Sequence, residues 1–164
     1  MKTKQEIFEQ SKQLLDQLGL NIVQQDNNRP WGGFYVIDET QAAAFAQHFF
    51  PEEDVEALKI SEKLSPKILM VAPGKRLSWQ YHHRRAEIWR CIDGQVAVAT
   101  SETNEETEKH VLQPGDKIKL KQGERHRLIG LYNWGVIAEI WQHTNAHHPS
   151  DEEDIVRLQD DFGR

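Results

Sequence analysis

The sequence has one cysteine and no long apolar run. With Cys91 as the single cysteine among 164 residues, an internal disulfide is excluded, and the chain suits a reducing compartment. The first residues, 1–8, contain no apolar stretch of signal-peptide length, and no later segment approaches the length that crosses a membrane. We therefore expect a cytoplasmic protein with no membrane partner.

The sequence also has no excess of positively charged residues. The chain carries 20 Lys+Arg against 26 Asp+Glu, a formal net charge of −6, and its acidic residues gather at 102–108 and 151–154. This balance disfavours nucleic acid as a partner. The length suits one domain over residues 1–164, which we divide into an N-terminal helical extension, 1–28, and a core, 29–164.

The local patterns predict two helices followed by many strands. Apolar residues recur at helical spacing near the start, at Ile7, Phe8, Leu14, Leu15 and Leu18. An alanine-rich stretch, 40–50, predicts a second short helix that Pro51 ends, and residues 29–37 read as a turn leading into a strand. Short β-rich runs then occupy 67–72, 77–81, 87–92, 95–101, 110–112, 116–120, 126–130 and 135–142. Such regular short strands indicate an all-β sandwich or barrel.

Four side chains along these strands are candidate metal ligands. Gln80 and His82 project from the same side of an extended strand, because successive side chains alternate between faces. Glu87 begins the next apolar run, and His126 follows a turn-like segment. Imidazoles with a carboxylate and no thiolate favour an open, working site for zinc, iron, nickel, cobalt or manganese over a closed structural zinc site.

The spacing of these residues resembles the two motifs of the cupins. The first motif, G-x5-H-x-H-x4-E-x6-G, is matched at Gly74, Gln80, His82, Glu87 and Gly94, with glutamine in the first histidine slot. The second motif is matched at Gly115, Gly123 and His126. The resemblance implies a cupin jelly-roll barrel, here with an N-terminal helix and a short helical insertion.

Four ordered segments are more closely similar to the C-terminal cupin of type II mannose-6-phosphate isomerases, a family that includes bifunctional enzymes making GDP-mannose. These segments are Arg29–Gly32, Pro73–Trp89, Gly123–Leu128 and Asp154–Arg164. Glutamine in the first ligand slot is a trait of that family. The resemblance covers about residues 29–164, departs at Arg84 and Ile88, where the family has histidines, and leaves 40–63 as an insertion.

The resemblance implies a metal-dependent isomerase that interconverts an aldose and a ketose phosphate, with mannose 6-phosphate and fructose 6-phosphate as the expected pair. Zinc is the first choice of metal. The candidates for the general base, among which the sequence does not choose, are Glu139, His143 and Lys119. The candidates for binding the phosphosugar, chosen because guanidinium groups recognise phosphate, are Arg85, Arg127 and Arg157.

Two other functions remain open at this stage, a non-catalytic sugar or sugar-phosphate binding protein and an iron-dependent oxygenase, because a fold does not specify an activity. A homodimer is expected by analogy with other cupins.

Overall fold

The computed structural model describes residues 1–60 and 62–164. Its helices are α1 (Lys4–Gln17), α2 (Ala42–Phe49) and α3 (Val55–Leu58), with a 3-10 turn, Glu39–Gln41, before α2. Its strands are β1 (Ile22–Arg29), β2 (Gly32–Ile37), β3 (Lys67–Val71), β4 (Trp79–Tyr81), β5 (Arg85–Asp93), β6 (Val96–Ser101), β7 (Glu108–Leu112), β8 (Lys117–Leu120), β9 (Arg125–Gly130), β10 (Gly135–His143) and β11 (Val156–Gln159).

The strands form two antiparallel sheets. The larger has the order β1-β2-β3-β10-β5-β8, and the smaller has the order β11-β4-β9-β6-β7. Apolar residues of both sheets meet in one cluster, which includes Leu69, Trp89, Val98, Leu128 and Ile137. The predicted all-β architecture is confirmed, and the eight strand runs after residue 67 are each found within a few residues of their expected limits.

The central strands β3 and β10 of the larger sheet are buried on both faces. Along β10, Ile137 belongs to the cluster between the sheets, whereas Val136 and Ala138 pack with the helices on the outer side. Strand alternation causes this division. It also places Glu139 of β10 on the inner face, two residues from Ile137. Lys67 of β3 lies on the same face, two residues from Leu69.

The helices are attached to the outer face of the larger sheet. The predicted N-terminal helix is present, and a capping box between Thr3 and Glu6 begins it. The Tyr35 hydroxyl donates a 3.1 Å hydrogen bond to the carbonyl of Phe8, which joins α1 to β2. Among the described residues, no helix is long and apolar enough to cross a membrane.

Two strands were not expected. Residues 22–29, within the predicted helical extension, form β1 and pair with β2 at the sheet edge. This strand is mostly polar and exposed, so neither apolar alternation nor a buried run marks it in the sequence. The second is β11, which pairs with β4 near the C-terminus. The proposed insertion, 40–63, contains α2 and α3, and its residue 61 lies outside the described part of the chain.

Candidate metal centre

Three side chains meet between the two sheets. His82 follows β4 and His126 lies on β9 of the smaller sheet, while Glu87 projects inward from β5 of the larger one. Their potential ligand atoms all lie within 4.8 Å of one another, and each residue is only 2% exposed. Glu87 Oε1 is 3.0 Å from His82 Nε2, and Glu87 Oε2 is 3.8 Å from His126 Nε2.

Backbone carbonyls determine which nitrogen of each ring can bind a metal. His82 Nδ1 lies 2.7 Å from the carbonyl oxygen of Asp154, and His126 Nδ1 lies 2.9 Å from that of Glu124. Because a carbonyl can only accept a hydrogen bond, both Nδ1 atoms carry the proton. In the neutral rings both Nε2 atoms therefore keep a lone pair directed into the cluster.

One atom of the cluster is unsatisfied. His126 Nε2 is buried and has no hydrogen-bond partner within residues 1–60 and 62–164. A buried polar atom without a partner is costly, and a divalent ion would satisfy this one. The donor set and this free nitrogen together fit a bound metal.

The charge states of the cluster also suit a metal. Burial opposes ionisation of Glu87, but the charges of His82 and Arg85 outweigh it and hold the pKa of the carboxyl well below its usual range. Burial lowers the pKa of His126 to about 4, so this ring is neutral at neutral pH. An ionised Glu87 carboxylate and a neutral His126 imidazole are the forms that bind metals.

The fourth predicted ligand, Gln80, lies beside the cluster with its amide nitrogen towards it. Gln80 Nε2 is 3.4 Å from His82 Nε2, while Gln80 Oε1 accepts a 2.6 Å hydrogen bond from the Ser78 hydroxyl. The oxygen is the only metal-binding atom of an amide. Gln80 would therefore have to turn its amide before it could serve as a ligand.

Arg85 is part of the wall of the cluster. Its Nε donates a 2.8 Å hydrogen bond to Glu87 Oε1, and its guanidinium lies 3.6 Å from the centroid of the Trp141 ring. Arg85 Nη1 donates to the Ser150 hydroxyl and the Asp151 carbonyl, both at 2.9 Å, and Nη2 lies 3.3 Å from His82 Nε2. A buried cation is thus held directly against a candidate metal ligand.

Glu139 occupies the same pocket as Glu87. Its Oε2 accepts a 2.7 Å hydrogen bond from the Trp89 indole, and its Oε1 accepts one of 3.0 Å from the Trp141 indole. Burial, reinforced by the negative charge of Glu87, raises the pKa of Glu139 to about 8. A carboxyl with this pKa can exchange a proton near neutral pH.

The other two base candidates do not line the pocket. His143 is buried, with Nε2 3.0 Å from the Ser65 hydroxyl and Nδ1 accepting a 2.9 Å hydrogen bond from the Ser150 amide. Lys119 lies on the edge strand β8, exposed, and pairs with Glu53 at 3.0 Å. Of the three candidates, the structure brings only Glu139 to the pocket.

The predicted phosphosugar-binding arginines are also divided. Arg85 and Arg157 line the pocket, whereas Arg127 does not. The buried Arg127 guanidinium donates to the carbonyl of Leu77 at 2.9 Å and to Glu106 at 2.8 Å, so it ties together segments of the smaller sheet.

The sequence interpretation assigned no role to three basic residues of the pocket: Lys67, Arg29 and Arg164. Lys67 is only 6% exposed, lies 3.7 Å from the centroid of the Trp141 ring and pairs with Glu152. The sequence could have indicated this position, because Lys67 begins the strand run 67–72 and alternation places it on the same face as Leu69 and Val71. Arg29 and Arg164, which the motifs contained but to which no role was given, line the pocket as well.

The fold and the cluster define a cupin with a candidate metal centre. The sequence model of the family described as "Mannose-6-phosphate isomerase C-terminal" matches residues 38–160, and the chain belongs to this family. The resemblance seen in the sequence is therefore confirmed.

Individual relatives agree with the family. The chain is similar to the xanthan biosynthesis protein XanB of Xanthomonas campestris, with 28% identity over 83% of this chain and 23% of XanB. It is also similar to the mannose-1-phosphate guanylyltransferase ManC of Salmonella typhimurium, with 29% identity over 79% of this chain and 26% of ManC. The chain thus spans about a quarter of the length of these relatives.

Among solved structures, the capsular polysaccharide assembling protein CapF of Staphylococcus aureus shares the fold. The TM-score is 0.57 at 14% identity, over 85% of this chain and 34% of CapF.

Proposed function

We propose that this protein is a metal-dependent isomerase that interconverts an aldose and a ketose phosphate, with mannose 6-phosphate and fructose 6-phosphate as the expected pair. The observation that carries the proposal is one pocket lined by both Glu87 of the metal cluster and Glu139, whose pKa is about 8. Membership of the mannose-6-phosphate isomerase C-terminal family supports the choice of substrate.

The metal would be held by His82, Glu87 and His126, with Gln80 as the fourth candidate donor. Zinc is the first choice, and iron, nickel, cobalt or manganese would also suit these ligands. A bound divalent ion would supply Lewis-acid stabilisation of the negative charge that develops on the sugar oxygens.

Glu139 is the residue we assign as the general base. Its carboxylate would remove the C2 proton of the open-chain aldose, the electron pair left behind would form the C1–C2 double bond, and the carbonyl pair would move to O1 to give an enediolate. Return of that proton to C1, with transfer of the O2 proton to O1, completes the ketose. The Trp89 and Trp141 indoles, which hold both oxygens, would keep the carboxylate oriented during these transfers.

One observation favours a second function, that of a non-catalytic phosphosugar-binding protein. The Arg85 guanidinium is hydrogen-bonded to Glu87, and a cation at this position opposes the binding of a second cation by the same carboxylate. In this case the pocket would bind a phosphosugar without turning it over. The iron-dependent oxygenase finds less support, because the pocket is lined by five basic side chains: Arg29, Lys67, Arg85, Arg157 and Arg164.

The decisive experiment measures metal content and activity on one sample. Purified protein is analysed for metals and then assayed for conversion of mannose 6-phosphate to fructose 6-phosphate with a coupled enzyme system. We expect about one metal per chain and turnover, with both lost in the double variant His82→Ala/His126→Ala. His147→Ala, in an exposed loop, is the matched control.

The outcomes separate the candidate functions. Bound metal and phosphosugar without turnover would refute the isomerase and select the binding protein. Oxygen uptake with iron would select the oxygenase. The homodimer remains a prediction, which sedimentation velocity tests directly.

A further inference from the structure

Three arginines from distant parts of the chain line the pocket that contains Glu87 and Glu139. Arg29 ends β1, Arg157 lies on β11 of the other sheet, and Arg164 follows the turn after β11. More than 120 positions of sequence separate the first from the second. The three arginines therefore come together only through the tertiary fold.

The three guanidinium groups lie close enough to influence one another. Burial lowers the pKa of Arg157, and the positive charges of Arg164 and Arg29 lower it further, against the opposing negative charges of Asp160 and Glu152. Like charges repel, so such a group is costly unless an anion is placed among them.

Nearby acids occupy only part of the donor capacity of the group. Arg164 donates to Asp160 from Nε at 2.9 Å and from Nη2 at 3.3 Å, whereas Arg29 Nε lies 3.0 Å from Asp26 without forming a hydrogen bond. Within the described part of the chain, no carboxylate forms an ion pair with Arg157. Each guanidinium has five N–H donors, so all three arginines retain donors for a ligand.

The group lies at the solvent end of the pocket. Arg157 and Arg164 are exposed, whereas Glu87 and Glu139 are buried at 2% and 5% exposure. The pocket thus has Glu87 and Glu139, together with the buried cations Lys67 and Arg85, at its inner end, and Arg157, Arg164 and the acidic Glu152 at its exposed end. An open-chain hexose 6-phosphate has the matching polarity, because its reacting carbons and its phosphate are at opposite ends.

We propose that Arg29, Arg157 and Arg164 form the subsite for the phosphate monoester of the sugar substrate. The inference rests on the proposed function, because it assigns one end of the same substrate. Planar guanidinium groups bind phosphate oxygens through paired, charge-assisted hydrogen bonds. Arg85 and Arg127 are not part of this subsite, because protein acceptors already hold their guanidinium groups and Arg127 does not line the pocket.

Calorimetric titration of metal-loaded protein tests this subsite without requiring turnover. The probes are mannose 6-phosphate, mannose and inorganic phosphate, titrated into the native protein and the Arg157→Gln variant. The native protein should bind mannose 6-phosphate more tightly than mannose. Arg157→Gln should weaken binding of mannose 6-phosphate and inorganic phosphate about tenfold or more, and leave mannose affinity unchanged.

Two further variants make the result specific. Arg164→Gln should reproduce the loss, and it carries the test if Arg157→Gln fails to fold. Arg90→Gln, on the outer face of β5 beside Glu52, removes a paired arginine away from the pocket and should bind all three probes as the native protein does.

The proposal is overturned if both pocket variants bind mannose 6-phosphate with native affinity, or if the native protein does not distinguish it from mannose. Failure of the subsite and failure of the isomerase are distinguishable. Arginine-dependent phosphosugar binding without turnover would support the subsite and refute the isomerase. Turnover with an unchanged KM in the arginine variants would support the isomerase and refute the subsite.

Discussion

Trp89 and Glu139 stand opposite each other on the neighbouring strands β5 and β10, and the Trp89 indole donates a 2.7 Å hydrogen bond to Glu139 Oε2. The hydrogen bond favours the ionised carboxylate, whereas burial favours the protonated form. The balance leaves the pKa of Glu139 at about 8. The Trp89–Glu139 pair therefore sets the pH range in which the proposed base is ionised.

Replacing Trp89 with phenylalanine should shift the pH dependence of the isomerase. Loss of the N–H donor destabilises the carboxylate, so the pKa of Glu139 should rise by about one unit. Because the base acts when ionised, the rise of kcat/KM with pH should move to more alkaline pH by the same amount. Trp79→Phe, which removes an indole donor that bonds to the Asn104 carbonyl, is the control. An unmoved profile in Trp89→Phe would argue against Glu139 as the base.

Glu139→Gln should change how stability depends on pH. The pKa of Glu139 rises from 4.5 to about 8 in the folded protein, so the folded state holds this proton more tightly. The resulting stabilisation is complete below about pH 4.5 and is lost as the pH rises through about 8. In the metal-free protein, the free energy of unfolding of the native chain should therefore fall relative to that of Glu139→Gln between pH 5 and 8.

Urea unfolding at several pH values measures this difference. The comparison uses the change with pH, because glutamine at this position also turns an amide N–H₂ towards one of the two indole donors and lowers stability at every pH. Glu105→Gln, in an exposed loop, is the control and should follow the native pH dependence. Parallel curves for Glu139→Gln and the native protein would contradict the raised pKa.

Asp154→Ala should weaken metal binding without removing a ligand. The carboxylate of Asp154 accepts the backbone N–H groups of His83 and Arg84, both at 2.9 Å, and its carbonyl accepts the Nδ1 proton of His82. Loss of the carboxylate should release the segment that orients His82. Residues that support metal ligands typically contribute about 10–100-fold in affinity.

Competition with a chelator measures the affinity of the Asp154 variant. Asp116→Ala is a matched control, because Asp116 also accepts a backbone N–H, that of Gln113, in a distant turn. Native affinity in Asp154→Ala would show that the His82 ring is oriented by other contacts.

Gly130→Ala should destabilise the fold severely. A Cβ on Gly130 of β9 would lie 2.0 Å from the carbonyl oxygen of Ala72, a backbone atom that cannot move independently. We expect a loss of about 3 kcal/mol or more, measured by urea unfolding. Gly115→Ala has no atom within 4 Å of its added Cβ, and its positive φ alone should cost about 1–2 kcal/mol. Equal losses in the two variants would contradict the close approach of β9 to Ala72.

Much of the fold could be predicted because its signals are local. Short β-rich runs between turn residues marked the strands from 67 onwards, and helical spacing marked α1. Strand β1 could not be found in this way, because its residues are mostly polar and its pairing with β2 holds it in place. The pairing of β11 with β4 is similarly non-local.

The candidate site was likewise predictable only where its signals were local in sequence. Motif spacing identified His82, Glu87 and His126, and the structure brings these three together. Spacing did not show that the amide nitrogen of Gln80 faces the cluster, nor that His143 is held by hydrogen bonds on both nitrogens. Such details depend on neighbours that are remote in sequence.

By itself the sequence determined the all-β class, the family and the order of the metal-ligand candidates, because strand alternation and motif spacing are properties of neighbouring residues. Only the tertiary structure decided that Glu139 enters the pocket with an elevated pKa, that Arg127 lies elsewhere, and that Arg29, Arg157 and Arg164 share the mouth. The physical reason is that burial and electrostatic interaction depend on distance in space, which the packing of the two sheets creates.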